Sequence, residues 1–84
     1  MAFTNEEITE IVIEAVAKAV KRDASTITPQ TRWVEDLNFK SVQGMKVCGI
    51  LNYKLGITVP LTALIECADI QDAIDMLVKM TAEA

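Results

Sequence analysis

Ser41 is the side chain best placed to do chemistry in this chain. It is one of two serines, the other being Ser25, and it stands between a long polar stretch and an amphipathic one. That is where a loop meets the start of a helix. A hydroxyl there is open to a modifying enzyme, and a phosphate ester on it would lie against unpaired helix N–H groups and the positive end of the dipole. The plainer role for the same residue is a helix N-cap. Other chemistries are removed by what is missing. The chain has no histidine, so Ser-His-Asp and Cys-His catalysis and His-containing zinc sites are excluded. Cys48 and Cys67 lie far apart with no CxxC spacing; they read as reduced, small buried hydrophobes, not as ligands or a disulfide.

The elements around Ser41 are helical. Thr4 and Glu7 form a capping box, with Phe3 placed as a hydrophobic staple toward Ile8. Ile8, Ile11, Val12, Ala15, Val16 and Ala19 then recur at helical spacing, which predicts a first helix over about residues 4–21. Acids crowd its start and Lys18, Lys21 and Arg22 its end, complementing the dipole. From Arg22 to Lys40 the chain is polar and rich in turn residues, yet it holds Ile27, Trp33, Val34 and Leu37. These four are expected to pin the loop to the core, with Trp33 buried. A second helix is predicted from an N-cap at Ser41 to Leu55, with Val42, Met45, Cys48, Leu51 and Leu55 as its apolar stripe and Gly56 as its C-terminal stop. Residues 57–60 read as extended before Pro60. A short helical turn follows over Thr62–Glu66, and a last helix capped by Asp69 runs to about Met80. The expected fold class is therefore all-α: a four-helix bundle of three longer helices and one short one, in a single domain spanning 1–84.

Composition narrows the partners. The 84 residues carry 12 acids against 8 basic residues, a net charge of −4. Such a chain is a poor ligand for nucleic acid, whose affinity rests on clustered Lys and Arg. No apolar run approaches the roughly 20 residues that span a bilayer, and Met1–Glu7 lacks the features of a signal peptide. A monomer in the cytoplasm is expected, with no nucleic acid and no membrane insertion.

The stretch from Glu35 to Met45, with Asp36-Leu37 and Ser41-Val42 at its centre, resembles the acyl carrier protein family, in which an acidic-Asp-Leu-Gly-x-Asp-Ser-Leu pattern surrounds the modified serine. The resemblance continues without a gap. Leu55-Gly56-Ile57-Thr58-Val59-Pro60 is similar to the family's Gly/Pro segment after its second helix. Asp69–Ile74 is similar to the start of its last helix, and Trp33-Val34 takes the place of its hydrophobic pair. The likeness covers roughly Glu7 to Met80. It implies the four-helix acyl-carrier bundle and a covalent 4′-phosphopantetheine on Ser41, with no catalytic residue in the chain. It also implies a phosphopantetheinyl transferase and acyl-loading and acyl-transferring enzymes as partners. On that reading Val42, Lys46, Val47, Gly49, Ile50 and Lys54 of the second helix are the residues expected to meet partners.

Two departures bear on function. Lys40 stands where the family usually has Asp; it is a candidate contact for the pantetheine phosphate or a partner's acid, and it bears on which transferase acts. Residues 40–55 contain Lys40, Lys46 and Lys54 and no acid, whereas carriers of fatty acid synthesis typically present acids there. This points to a specialised fatty acid, polyketide or related pathway. Two alternatives stay open: an unmodified interaction module with the same fold, and a peptidyl carrier of amino acids.

Overall fold

The computed structural model describes residues 3–83. Met1 and Ala2, the first residues of the segment read above for a signal peptide, lie outside the described residues. Four α-helices follow in order: α1 (Asn5–Val20), α2 (Ser41–Leu55), α3 (Leu61–Ile65) and α4 (Ile70–Glu83). A 3₁₀ turn (Ala24–Thr26) interrupts the loop between α1 and α2. Among the described residues there is no strand beyond a one-residue antiparallel bridge between Arg32 and Asp69. The expected all-α bundle of three longer helices and one short one is the observed fold. Among the described residues no helix is long and apolar enough to cross a membrane.

Local rules start and stop these helices. At α1 the Thr4 hydroxyl accepts the Glu7 amide at 3.1 Å, and the Glu7 carboxylate accepts the Thr4 amide at 2.9 Å. That reciprocal box satisfies two amides the helix itself cannot. Phe3, before the box, is half-buried against the core. Lys21 closes α1 in the left-handed region at φ 58°, a conformation usually left to Gly or Asn. Gly56 ends α2 at φ 67°, its N–H donating to the Asn52 carbonyl at 2.9 Å. The side chain of the same Asn52 accepts the Val59 amide at 2.7 Å, which holds the extended stretch before Pro60 against α2. Asp69 caps α4 by accepting the Asp72 amide at 2.9 Å. The last helix runs past Met80 because Thr81 stays buried, its hydroxyl donating to the Leu77 carbonyl at 2.9 Å.

The core is aliphatic and lies between α1, α2 and α4. Ile8, Val12, Val16, Val47, Leu51, Ile70, Ile74 and Leu77 are fully buried, each contributing on the order of 1.5–3 kcal/mol. α1 packs on both α2 and α4, and α3 packs on α2. Two expectations need correction. Of the apolar stripe expected on the second helix, Cys48, Leu51 and Leu55 face inward, joined by Gly44 and Val47, whereas Val42 and Met45 are 65% and 62% exposed. Val34 was expected to pin the loop with its neighbours but faces solvent, because its place in the turn aims it away from the side that Trp33 and Leu37 bury.

The long loop is fastened to the start of α4. The Trp33 indole N–H donates to the backbone oxygen of Asp69 at 2.8 Å. Beside it the Ile70 amide donates to the Thr31 carbonyl at 2.9 Å, and the Gln71 amide to the Pro29 carbonyl at 2.8 Å. Trp33 is 3% exposed, with Ile27 and Leu37 also buried. Its fluorescence should therefore be blue-shifted and should move to the red in step with loss of helix on urea titration. Trp33→Phe keeps an aromatic ring but loses the hydrogen bond and some volume, and should cost about 1–3 kcal/mol; a change under about 0.5 kcal/mol in the urea midpoint would contradict the fastening.

Candidate functional site

Ser41 owes its position to the last residues of the loop. Asn38 takes a left-handed conformation at φ 49°, one that Asn tolerates better than most residues. The chain thereby turns back on itself, and the Phe39 amide donates to the Trp33 carbonyl at 3.0 Å. The Phe39 ring meets the Trp33 ring edge to face, 4.7 Å between centroids at 64°. Lys40 is extended and serves as the N-cap, and Ser41 is the first helical residue. The expected cap at Ser41 is thus displaced by one residue. The physical reason is Gln43, the third helical residue, whose side-chain oxygen accepts the Lys40 amide at 2.8 Å, the half of a capping box that its third residue supplies.

That displacement matters chemically. The first turn of α2 has no side-chain cap hydrogen bond from its N-cap residue and no acid. Its leading amides therefore have no intrahelical acceptor, and its positive dipole end is uncompensated. Lys40 adds a further positive charge, against the dipole by ~0.3–1 kcal/mol. The Ser41 side chain, exposed at this point, stands where an anionic ester would offset both.

Beside Ser41 lies a groove of about 170 Å³. Trp33, Phe39, Leu61, Leu64 and Ile65 supply apolar walls, and Lys40 and Ser41 its polar edge. Gly44 lines it as well. A Cβ on Gly44 would stand 2.7 Å from Leu61 Cδ1, so the bare backbone lets α3 sit over the start of α2. An apolar cleft with a polar, exposed hydroxyl at its edge fits a phosphate-linked arm that bears an apolar group. Cys67 also lines the groove. Burial, then the carboxylates of Asp72, Asp69 and Glu66, push its thiol up to about 11, so at neutral pH it is a protonated thiol and a poor nucleophile. Both cysteines are free.

The other sequence-predicted residues divide. Val42, Lys46 and Gly49 lie on the outward side of α2, Lys54 is exposed, and Ile50 is half-buried. Val47 is fully buried, so it packs the core and presents nothing to a partner. Sequence reasoning missed Tyr53, which is 86% exposed; its spacing from Val42, Met45 and Gly49 was the available signal. It also missed the groove walls from α3, for which no local pattern exists, since the face of so short a helix is set by what it packs against.

The family described as "Phosphopantetheine attachment site" matches residues 10–77 of the chain. Acyl carrier proteins of Rickettsia canadensis (strain McKiel) and Rickettsia rickettsii (strain Iowa) are each 33% identical over 57 residues, 68% of this chain and 66% of theirs. The matched region is thus just under two thirds of those relatives' length. The acyl carrier protein of Thermobifida fusca (strain YX) is 25% identical over 79 residues, 94% of this chain and 100% of its own.

Gly44 and Gly49 occupy the same helix for opposite reasons. A Cβ on Gly49 meets nothing within 4 Å, so Gly49→Ala should stabilise the protein by about 1 kcal/mol through helix propensity alone. Gly44→Ala gains the same propensity but must displace Leu61, at an overpacking cost of about 1–3 kcal/mol. Urea unfolding should place Gly44→Ala at least about 1 kcal/mol below Gly49→Ala; equal stabilisation by both would contradict the close approach of α3.

Proposed function

Because the chain belongs to the phosphopantetheine-attachment family that includes the acyl carrier proteins, a family that carries 4′-phosphopantetheine, we propose that it is an acyl carrier loaded on Ser41. The observation that supports this reading best is an exposed serine at the first position of α2, free of capping duty, at the edge of an apolar groove. The attached group supplies a terminal thiol that holds an acyl chain as a thioester. Everything else is done by the chain's own residues. The Ser41 oxygen anchors the ester. The free amides of the first turn and the Lys40 ammonium offset its negative charge. Trp33, Phe39 and Leu61 offer apolar surface to whatever part of the acyl group lies nearest. Cys67, held protonated, does not compete for the acyl group.

The protein so understood catalyses nothing, and its partners are a phosphopantetheinyl transferase and the enzymes that load and remove the acyl group. α2 carries Lys46 and Lys54 and no acid, which supports service in a specialised pathway and not as the general carrier of fatty acid synthesis.

Incubation with coenzyme A and a broad-specificity phosphopantetheinyl transferase should add the mass of one phosphopantetheine, and peptide mapping should place it on Ser41. Ser41→Ala should take up none. Because the Ser41 hydroxyl does not cap α2, that variant should also keep its urea midpoint to within about 0.5 kcal/mol, where loss of a true serine cap costs about 0.5–2 kcal/mol. Continued modification of Ser41→Ala, or no modification of the native protein by any of several transferases, would contradict the assignment and favour an unmodified interaction module.

A further inference from the structure

α2 is apolar on two faces. One carries Val47, Leu51 and Leu55 into the core. On the other, Val42, Met45, Gly49 and Tyr53 follow one another at intervals of three and four residues, and Val42, Met45 and Tyr53 are among the most exposed large hydrophobic residues of the protein. An outward apolar stripe of three turns is surface that a contact would cover. At its centre is Gly49, where a side chain would meet nothing within 4 Å. Nothing inside the molecule requires glycine there, and alanine would make a better helix. Bare backbone in the middle of an apolar stripe permits a partner to approach more closely than any side chain would allow.

Charge sets the sign of that partner. From Leu37 to Ile65 the chain has three lysines and no acid, while all 12 acids lie outside this segment. Lys46 sits within the stripe, Lys40 at its start and Lys54 on its flank, all exposed. The acids just upstream are engaged elsewhere: Glu35 lies 3.7 Å from Arg32, and Asp36 accepts the Arg32 amide at 2.8 Å. An otherwise acidic protein thus turns a positive, apolar face outward beside Ser41. A second copy of the chain fits this face badly, since a two-fold contact would set lysines against lysines. A lipid surface would gain nothing from the bare spot at Gly49.

We propose that the outward stripe of α2 docks a partner enzyme whose surface is apolar at its centre and acidic at its rim, with Gly49 as the point of closest backbone approach. The proposal rests on the carrier reading only for the statement that this partner handles the group on Ser41. The stripe starts next to that residue, so an enzyme seated on it has the arm within reach. Complementary charge would act mostly on encounter and on discrimination between partners.

The test uses the apo protein, labelled with ¹⁵N, and two acyl-transferring enzymes of known structure, each with its nucleophile replaced. One has an acidic rim around its active-site entrance and the other a basic rim. The acidic-rimmed enzyme should shift the amides of Val42, Lys46, Gly49 and Tyr53 and bind about tenfold tighter than the other at low salt, with the difference shrinking as salt rises. Lys46→Glu combined with Lys54→Glu should reverse the order. Gly49→Leu, with the rest of its spectrum unchanged, should weaken binding about tenfold without reversing it. Lack of preference between the enzymes, shifts centred away from the stripe, self-association through α2, or α2 shifts produced by phosphatidylglycerol vesicles and by neither enzyme would each overturn the proposal. Loading of Ser41 is read separately by mass. Loading without the charge preference defeats the docking proposal alone, and the charge preference without loading defeats the carrier reading alone.

Discussion

The position of Ser41 depends on a hydrogen bond made 36 residues from its donor. The Trp33 indole N–H reaches the backbone oxygen of Asp69, and around it the loop lays its own carbonyls over the start of α4. Ile70 and Gln71 would otherwise begin that helix with amides lacking acceptors; Thr31 and Pro29 provide them. The loop and the helix therefore complete each other. Phe39 then packs edge-on against Trp33 and bonds to its carbonyl, which leaves Lys40 and Ser41 no freedom to wander from the groove. A serine at the end of a 20-residue connection is thereby held as firmly as one on a rigid element.

α2 works with both of its faces. Its inner side supplies core contacts to α1, and its first turn supplies an uncapped, positively polarised end beside the groove. Gly44 and Gly49 make the point at single-residue scale. The first is open because α3 needs the space, the second although nothing in the molecule uses it. The same residue type in the same helix thus marks an internal close approach in one case and an external one in the other.

Much of this was legible in the sequence wherever a short-range rule applied. The Thr4–Glu7 box, the Gly56 stop and the Asp69 cap are decided within four residues, and each is found as expected. Trp33 in a polar loop could be read as buried because an indole beside Ile27 and Leu37 has more to gain from the core than from water. The misreadings have physical causes. Val42 and Met45 share helical spacing with the true core residues, and periodicity cannot choose between two apolar faces of one helix. The cap moved from Ser41 to Lys40 because Gln43 took over part of the capping, an interaction that competes with the serine preference without leaving a distinct pattern. Val47 was read as surface and is core for the same two-faced reason. The contact between Trp33 and Asp69 and the groove walls from α3 are tertiary, and nothing local encodes them.

The central claim is that the loop between α1 and α2 belongs to the same cooperative unit as the helices and so fixes Ser41. Native-state hydrogen exchange tests it most directly, followed at the Trp33 indole N–H and at the Ile70 and Gln71 amides. These three should exchange only by global unfolding, with the same opening free energy as amides in the middle of α1. Exchange of the three by a much less costly local opening, while α1 stays protected, would show that the loop unfastens on its own and that Ser41 is not held as described.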